Sequence, residues 1–280
     1  MSVDQRKLVE IIANDNLDQF IRLQHNKHLV NIQILPFECL NIPNDNKNYC
    51  PKGPTTLIYC VLCQSAKILE YIIRSEKKFQ PEYFKEVEGF TPLLYSILTK
   101  DTRCFYLLAD RIFGGSDLEE SKKLELAKTL IRASCINENY ETLIQLLTYV
   151  NSFDIDYSEL DLLKISYTKL DPILALICIK FGSYSAETRE MIDKQSEKDS
   201  NSHMSQRLSD YYKITSLGED EIIERYNDFV KNNFPDIQFG NWSKVQQEPT
   251  QEIPQETIPV DQNQDNSNSN ENPEVNENPN

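Results

Sequence analysis

Cys60-Val61-Leu62-Cys63 is the spacing in this 280-residue chain that comes nearest to a metal half-site, because two thiolates at i and i+3 can share one zinc ion. His25-Asn26-Lys27-His28 offers a second pair of ligands, but no fixed interval ties it to the first. Nucleophilic catalysis needs a base within reach of the nucleophile, and only His25, His28 and His203 carry an imidazole. His203 sits in the polar run 194–204, read as a loop, so a Cys–His dyad would have to be assembled by loops. Solvent exposure is the expected state of these histidines. The seven glycines fall at turns and form neither G-x-G-x-x-G nor G-x-x-x-x-G-K, so no phosphate cradle is spelled out. Carboxylates are plentiful, yet nothing singles out one catalytic pair. The expectation is a chain that is not an enzyme, with no catalytic residue, no metal, no cofactor and no small-molecule substrate.

Composition narrows the partners. From Val245 to Asn280 there are no aromatic residues and no positive charges, while eight Asp and Glu residues accumulate, so this stretch cannot bury enough apolar surface to offset the entropy of ordering it. Residues 244–280 are therefore expected to be a disordered acidic tail rich in Asn, Pro and Glu. Taking its eight charges from the formal −15 leaves about −7 on the remainder. No Lys/Arg run exceeds two residues, which argues against nucleic acid as a partner. The opening MSVDQRKLVEIIAND reaches charged residues too early for a secretory signal, and no window approaches 18 uninterrupted apolar residues, so no membrane partner is expected. Seven cysteines, an odd number scattered among apolar helices, suit a reducing compartment. A cytoplasmic protein is expected, with the nucleus left open.

The elements that must position any site emerge from an internal repeat. GFTPLLYSILTK (89–100) reads as a helix start: Gly89 for a tight turn, Thr91 as N-cap, and Pro92 at the first helical position, where its missing N–H costs nothing. Residues 53–73, GPTTLIYCVLCQSAKILEYII, align without gaps on residues 89–109, GFTPLLYSILTKDTRCFYLLA, at an offset of 36. Gly53 pairs with Gly89, Thr55 with Thr91, Leu57 with Leu93, Cys60 with Ser96, and Ile68 with Cys104. Each copy holds two short amphipathic helices, with Lys100-Asp101 at the turn of the second copy. Helices of under ~12 residues are marginal alone and gain stability by packing on neighbours.

In its Gly-x-Thr-Pro-Leu opening, its small buried position and its helix-turn-helix form, this unit resembles an ankyrin repeat. The resemblance implies an all-α, ankyrin-like helical solenoid of about six helix-turn-helix repeats with short hairpin loops. The copy at Thr55 departs from the family pattern by Thr56 for Pro and Cys60 for Ala. Since Cys60 takes the family's small position, its sulfur is expected to pack as a small hydrophobe rather than bind metal. Weaker units complete a register over residues 1–243, at 6–24, 55–74, 91–110, 124–150, 171–193 and 209–233. Asp171-Pro172 opens the fifth as cap and first helical residue, and Gly218 is expected at the turn inside the last. Lys122-Lys123 with Glu119-Glu120 reads as a solvated helix face. In FPDIQFGNW (234–242), Phe234, Phe239 and Trp242 are expected to fold back over the end of the stack.

The resemblance further implies a concave protein-binding face made of hairpin tips and first-helix ends, and hence a monomeric interaction module or scaffold for an unidentified protein partner. Its contact positions map to Lys52, Pro54, Val87, Glu88, Phe90, Leu98, Thr99, Tyr167, Thr168 and Leu170, with Phe90 the strongest, since an aromatic at a hairpin tip can anchor a partner. Two alternatives remain: a self-associating structural repeat protein, and a substrate-recruiting subunit of an enzyme complex.

Overall fold

The hydroxyls of Thr55 and Thr91 accept from the backbone N–H three residues on, at 3.3 Å from Ile58 and 3.2 Å from Leu94, and each so starts a helix. A computed structural model of the chain describes residues 3–24, 42–51, 53–75, 90–114, 118–151, 158–199, 204–235 and 237, all within the unit Met1–Val245. The structure is all-α, and the described residues contain no strand. The helices are α1 (Val3–Ala13), α2 (Leu17–Gln24), α3 (Thr56–Leu62), α4 (Ala66–Ser75), α5 (Pro92–Leu98), α6 (Thr102–Ala109), α7 (Glu120–Ile136) and α8 (Tyr140–Asn151). They continue with α9 (Leu162–Lys169), α10 (Pro172–Lys180), α11 (Ala186–Asp199), α12 (Gln206–Thr215) and α13 (Glu219–Asn233). Short 3-10 turns occupy Asn44–Tyr49 and Ser158–Leu160, and a π-helical turn, Asp110–Gly114, extends α6.

One turn recurs through the first five helix pairs. Asp15, Gln64, Lys100, Glu138 and Leu170 are all left-handed, with φ between 47° and 59°. The N–H of each bonds to the carbonyl three residues back, and the N–H of the following residue bonds to the carbonyl five residues before it. This double closure satisfies carbonyls that a helix C-terminus otherwise leaves open. In most pairs the next residue then caps the following helix: Asn16 accepts from Gln19 N–H at 3.1 Å, Asp101 from Cys104 at 3.1 Å, and Asp171 from Leu174 at 3.0 Å. A left-handed residue followed by an extended cap residue thus reverses the chain, as at Lys100-Asp101 and Leu170-Asp171.

Counting from the left-handed residue exposes the core. Seven residues before it stand Leu8, Leu57, Leu93, Ile131 and Leu163, none more than 1% exposed. Five residues after it stand Phe20, Leu69, Phe105, Leu143 and Ala175, all fully buried. Four before it the small residues Cys60, Ser96, Ser134 and Ser166 let successive helices approach. Removing a Leu, Ile or Phe side chain of this set from water contributes about 1.5–3 kcal/mol, which is what holds a seven-residue helix such as α5 in place. The contacts run in two rows: α1, α3, α5, α7 and α9 pack in succession, and α2, α4, α6 and α8 pack in succession behind them.

Beyond α10 the order changes. α12 and α13 both pack chiefly on α10, and α11 packs on α9, so residues 209–233 do not form a hairpin closed on itself. Gly218 lies at the turn between α12 and α13, where it is the N-cap of α13 with an ordinary φ of −71°, while a left-handed glycine, Gly182 (φ 65°), stands between α10 and α11. Three other sequence expectations differ from the structure. Asp171 sits at the turn inside the α9–α10 pair rather than at its opening. Residues 194–199 belong to α11 instead of a loop. Lys123 is 6% exposed, not solvated, and its ammonium bonds to Phe113 O at 3.2 Å and to Glu120 at 3.1 Å, closing the end of the π-helical turn.

Candidate interaction surface

Of the residues the sequence singles out for contact, Lys52, Val87 and Glu88 lie outside the described residues. Pro54 and Thr99 are buried; the Thr99 hydroxyl is tied to Tyr95 O at 3.1 Å. Leu98 is half-buried against the core. Tyr167 stacks on Tyr211 at 5.7 Å between ring centroids, and Leu170, the turn residue, receives Arg207 Nε at its carbonyl at 2.9 Å. Phe90 and Thr168 do reach solvent. Phe90 is 37% exposed, and its ring lies tilted 5.7 Å from that of Tyr95.

Thr168 opens onto a groove between two successive helices of the first row. Its walls are Arg132 and Ile136 on α7, the turn Glu159-Leu160-Asp161, and Lys164, Ile165 and Thr168 on α9, enclosing about 490 Å³. Arg132 and Ile136 share one face of α7 because they are four residues apart, as are Lys164 and Thr168 on α9. Ile136 is 55% exposed, the most exposed of the large apolar side chains among the described residues, while Leu160 in the same groove is buried. Among the described residues Arg132, Glu159 and Lys164 make no ion pair. Asp161 is committed: its carboxylate accepts from Ser185 N–H at 3.3 Å, Ser185 Oγ at 3.3 Å and Thr188 Oγ1 at 2.7 Å, pinning α11 to the start of α9.

Polar groups tie each pair to the next along the turn edge. Asp15 accepts from Lys67 and Ile68 N–H at 3.2 and 3.1 Å, so the first turn caps α4. Glu141 takes hydrogen bonds from Thr102 and Tyr106, both at 3.1 Å. Tyr140 donates to Asp171 at 2.6 Å; burial, and then this carboxylate, push the phenol up. Lys169 meets Glu138 at 2.9 Å, and that hydrogen bond holds the Glu138 carboxyl below the usual range.

Among the described residues the cysteines do not gather into a ligand set. Cys60 is fully buried and its thiol is pushed up by desolvation, while Cys63 is lifted to about 12 by the same cause. Among the described residues no three His, Cys, Asp or Glu side chains are disposed to hold a metal ion. His25, His28, His203, Phe239 and Trp242 lie outside those residues. Phe234 packs edge-on against Phe229 at 5.6 Å. No described helix is long and apolar enough to cross a membrane.

Arg132, Ile136, Lys164 and Ile165 escape the sequence reading, although a signal for them exists. Thr91-x-Leu93-x-x-Ser96 recurs as Thr129-x-Ile131-x-x-Ser134 and Asp161-x-Leu163-x-x-Ser166, each placing the left-handed residue nine positions after the first. Thr129 is hidden because α7 begins two turns earlier, and Asp161 because Asp171-Pro172 imitates the opening more closely. Comparison with known proteins gives no match: no family model, no curated protein and no solved structure aligns with the chain.

Proposed function

We propose that the chain is a divergent ankyrin-type repeat solenoid that acts as a non-enzymatic interaction module, binding a partner protein as a monomer along the row formed by α5, α7 and α9. The observation that carries this reading is the recurrent turn. Five repetitions of one left-handed residue, followed at once by a position that caps the next helix in most pairs, bring successive first helices into register on one side. Such a row is stiff, so little conformational entropy is lost on docking, while its outward side chains vary without cost to the core. Phe90 and Ile136 are large apolar groups left open on segments of this row, the kind of anchor that desolvates at a protein interface.

Site-specific photo-crosslinking tests the proposal. A crosslinking side chain placed at Phe90, Ile136 or Thr168, and as a control at exposed Arg74 on α4 of the second row, is irradiated in cells that express the chain. Discrete heteromeric adducts from the first-row positions, absent at Arg74, are expected. Adducts from Arg74 alone, or adducts only with a second copy of the chain, would contradict it.

A further inference from the structure

We propose that a groove at the C-terminal end of α13 is the docking site of the chain's own segment Phe239-Gly240-Asn241-Trp242, which lies beyond the described residues. An aromatic ladder leads to this groove: Tyr140 meets Phe229 edge-on at 6.2 Å between ring centroids, and Phe229 meets Phe234 edge-on at 5.6 Å. Past Phe234 the surface forms a hollow of about 370 Å³ between Tyr226, Val230 and Lys231 on α13 and Phe234, Pro235 and Ile237 after it. Tyr226 and Val230 are buried at its floor and Phe234 and Ile237 are half-buried, while Lys231 is the one charged residue in the lining. The direction of the chain commits the occupant. Ile237 N–H donates to Phe234 O at 3.1 Å, so the backbone turns as it leaves α13, and Ile237 itself lines the groove. Phe239 and Trp242 follow two and five residues later, within about 7 Å and about 17 Å of Ile237 along a fully extended chain. Residues 238–243, QFGNWS, carry no charge, so the segment brings two aromatic rings and no ion to a lining that offers rings and aliphatic groups. Each ring withdraws about 150–250 Å² from water when buried. A tether this short holds the segment at an effective concentration in the millimolar range, above that of any free peptide or second copy in dilute solution. The contact depends on α13 and the turn that follows it, not on the row of α5, α7 and α9, so it stands or falls separately from the interaction-module reading.

Trp242 is the only tryptophan, so the indole emission of the full chain reports on this segment alone. In native buffer the emission is expected at shorter wavelength than in urea, with acrylamide quenching roughly threefold weaker, as for a ring withdrawn from water. Both signals should persist on dilution. Phe234→Asp, which puts a charge into the groove beyond the end of α13, should bring emission and quenching to the values of the unfolded chain while circular dichroism stays native; Thr168→Asp, on α9, should change neither. A second measurement does not depend on that variant folding. A benzophenone side chain placed at exposed Lys231 should, on irradiation, join the peptide that carries residues 239–242 of the same chain, and one placed at Arg225, outside the groove lining, should not. Emission and quenching equal to those of the unfolded chain overturn the proposal. So does protection that ignores Phe234→Asp with no link from position 231, since the indole is then buried elsewhere. Protection lost on dilution, or links from position 231 only to a second copy, assigns the groove to another molecule and overturns it as well.

Discussion

At the residue scale the fold turns on five side-chain-bearing residues held in a backbone region that costs an L-residue about 1–2 kcal/mol. Gln64 is exposed with φ 59°, so its side chain gives nothing back for that cost. Gln64→Gly is expected to raise unfolding stability by about 0.5–1 kcal/mol in urea titrations, the relief of the left-handed penalty less the added entropy of the unfolded chain. Gly182 supplies the converse: at φ 65° an added Cβ would meet nothing within 4 Å, so Gly182→Ala should cost about 1 kcal/mol through backbone conformation alone. The opposite signs are the check, since a turn held only by its surroundings would show neither. Lys123 belongs to the same scale. Its pairing with Phe113 O depends on a π-helical turn that no periodicity announces, so composition alone places it on a solvated face.

At the scale of elements, α11 is a largely exposed helix whose buried residues are Thr188 and Ile192. Asp161 replaces the missing hydrophobic anchor, assisted by the Arg189 guanidinium bonded to Thr215 O. Asp161→Ala is expected to destabilise the chain by about 1.5–3 kcal/mol, with the loss of hydrogen-exchange protection greatest over 186–199. Equal loss across all helices would show that Asp161 acts on the whole unit rather than on α11. This is also where sequence and structure part company. The pairs at Thr55 and Thr91 are legible because cap, apolar and small positions all fall in one uninterrupted 21-residue match. The fifth pair is not, because two cap residues ten positions apart, Asp161 and Asp171, compete for the same role, and the one followed by Pro is the inner one. Of the candidate surface, Phe90 was legible as an aromatic before a cap, but Ile136 reads as the last core residue of a helix. Only the packing of α9 beside α7 reveals that its side chain is left outside.

At the scale of the molecule, the pairs from α1 to α10 share one apolar interior between neighbours, and short helices of this kind are expected to depend on that packing to stay folded. The two rows then make a stiff support on which Phe90 and the α7–α9 groove face outward, while α12 and α13 close on α10 and end the progression. Truncating Leu93, buried in the middle of the first row, opens a cavity worth about 2–5 kcal/mol. In native-state hydrogen exchange on Leu93→Ala, the opening free energies of α3 and α7, which flank α5, are expected to fall together with those of α5 and α6; a loss confined to α5 and α6, with α3 and α7 unchanged, would show that neighbouring pairs do not share one cooperative interior.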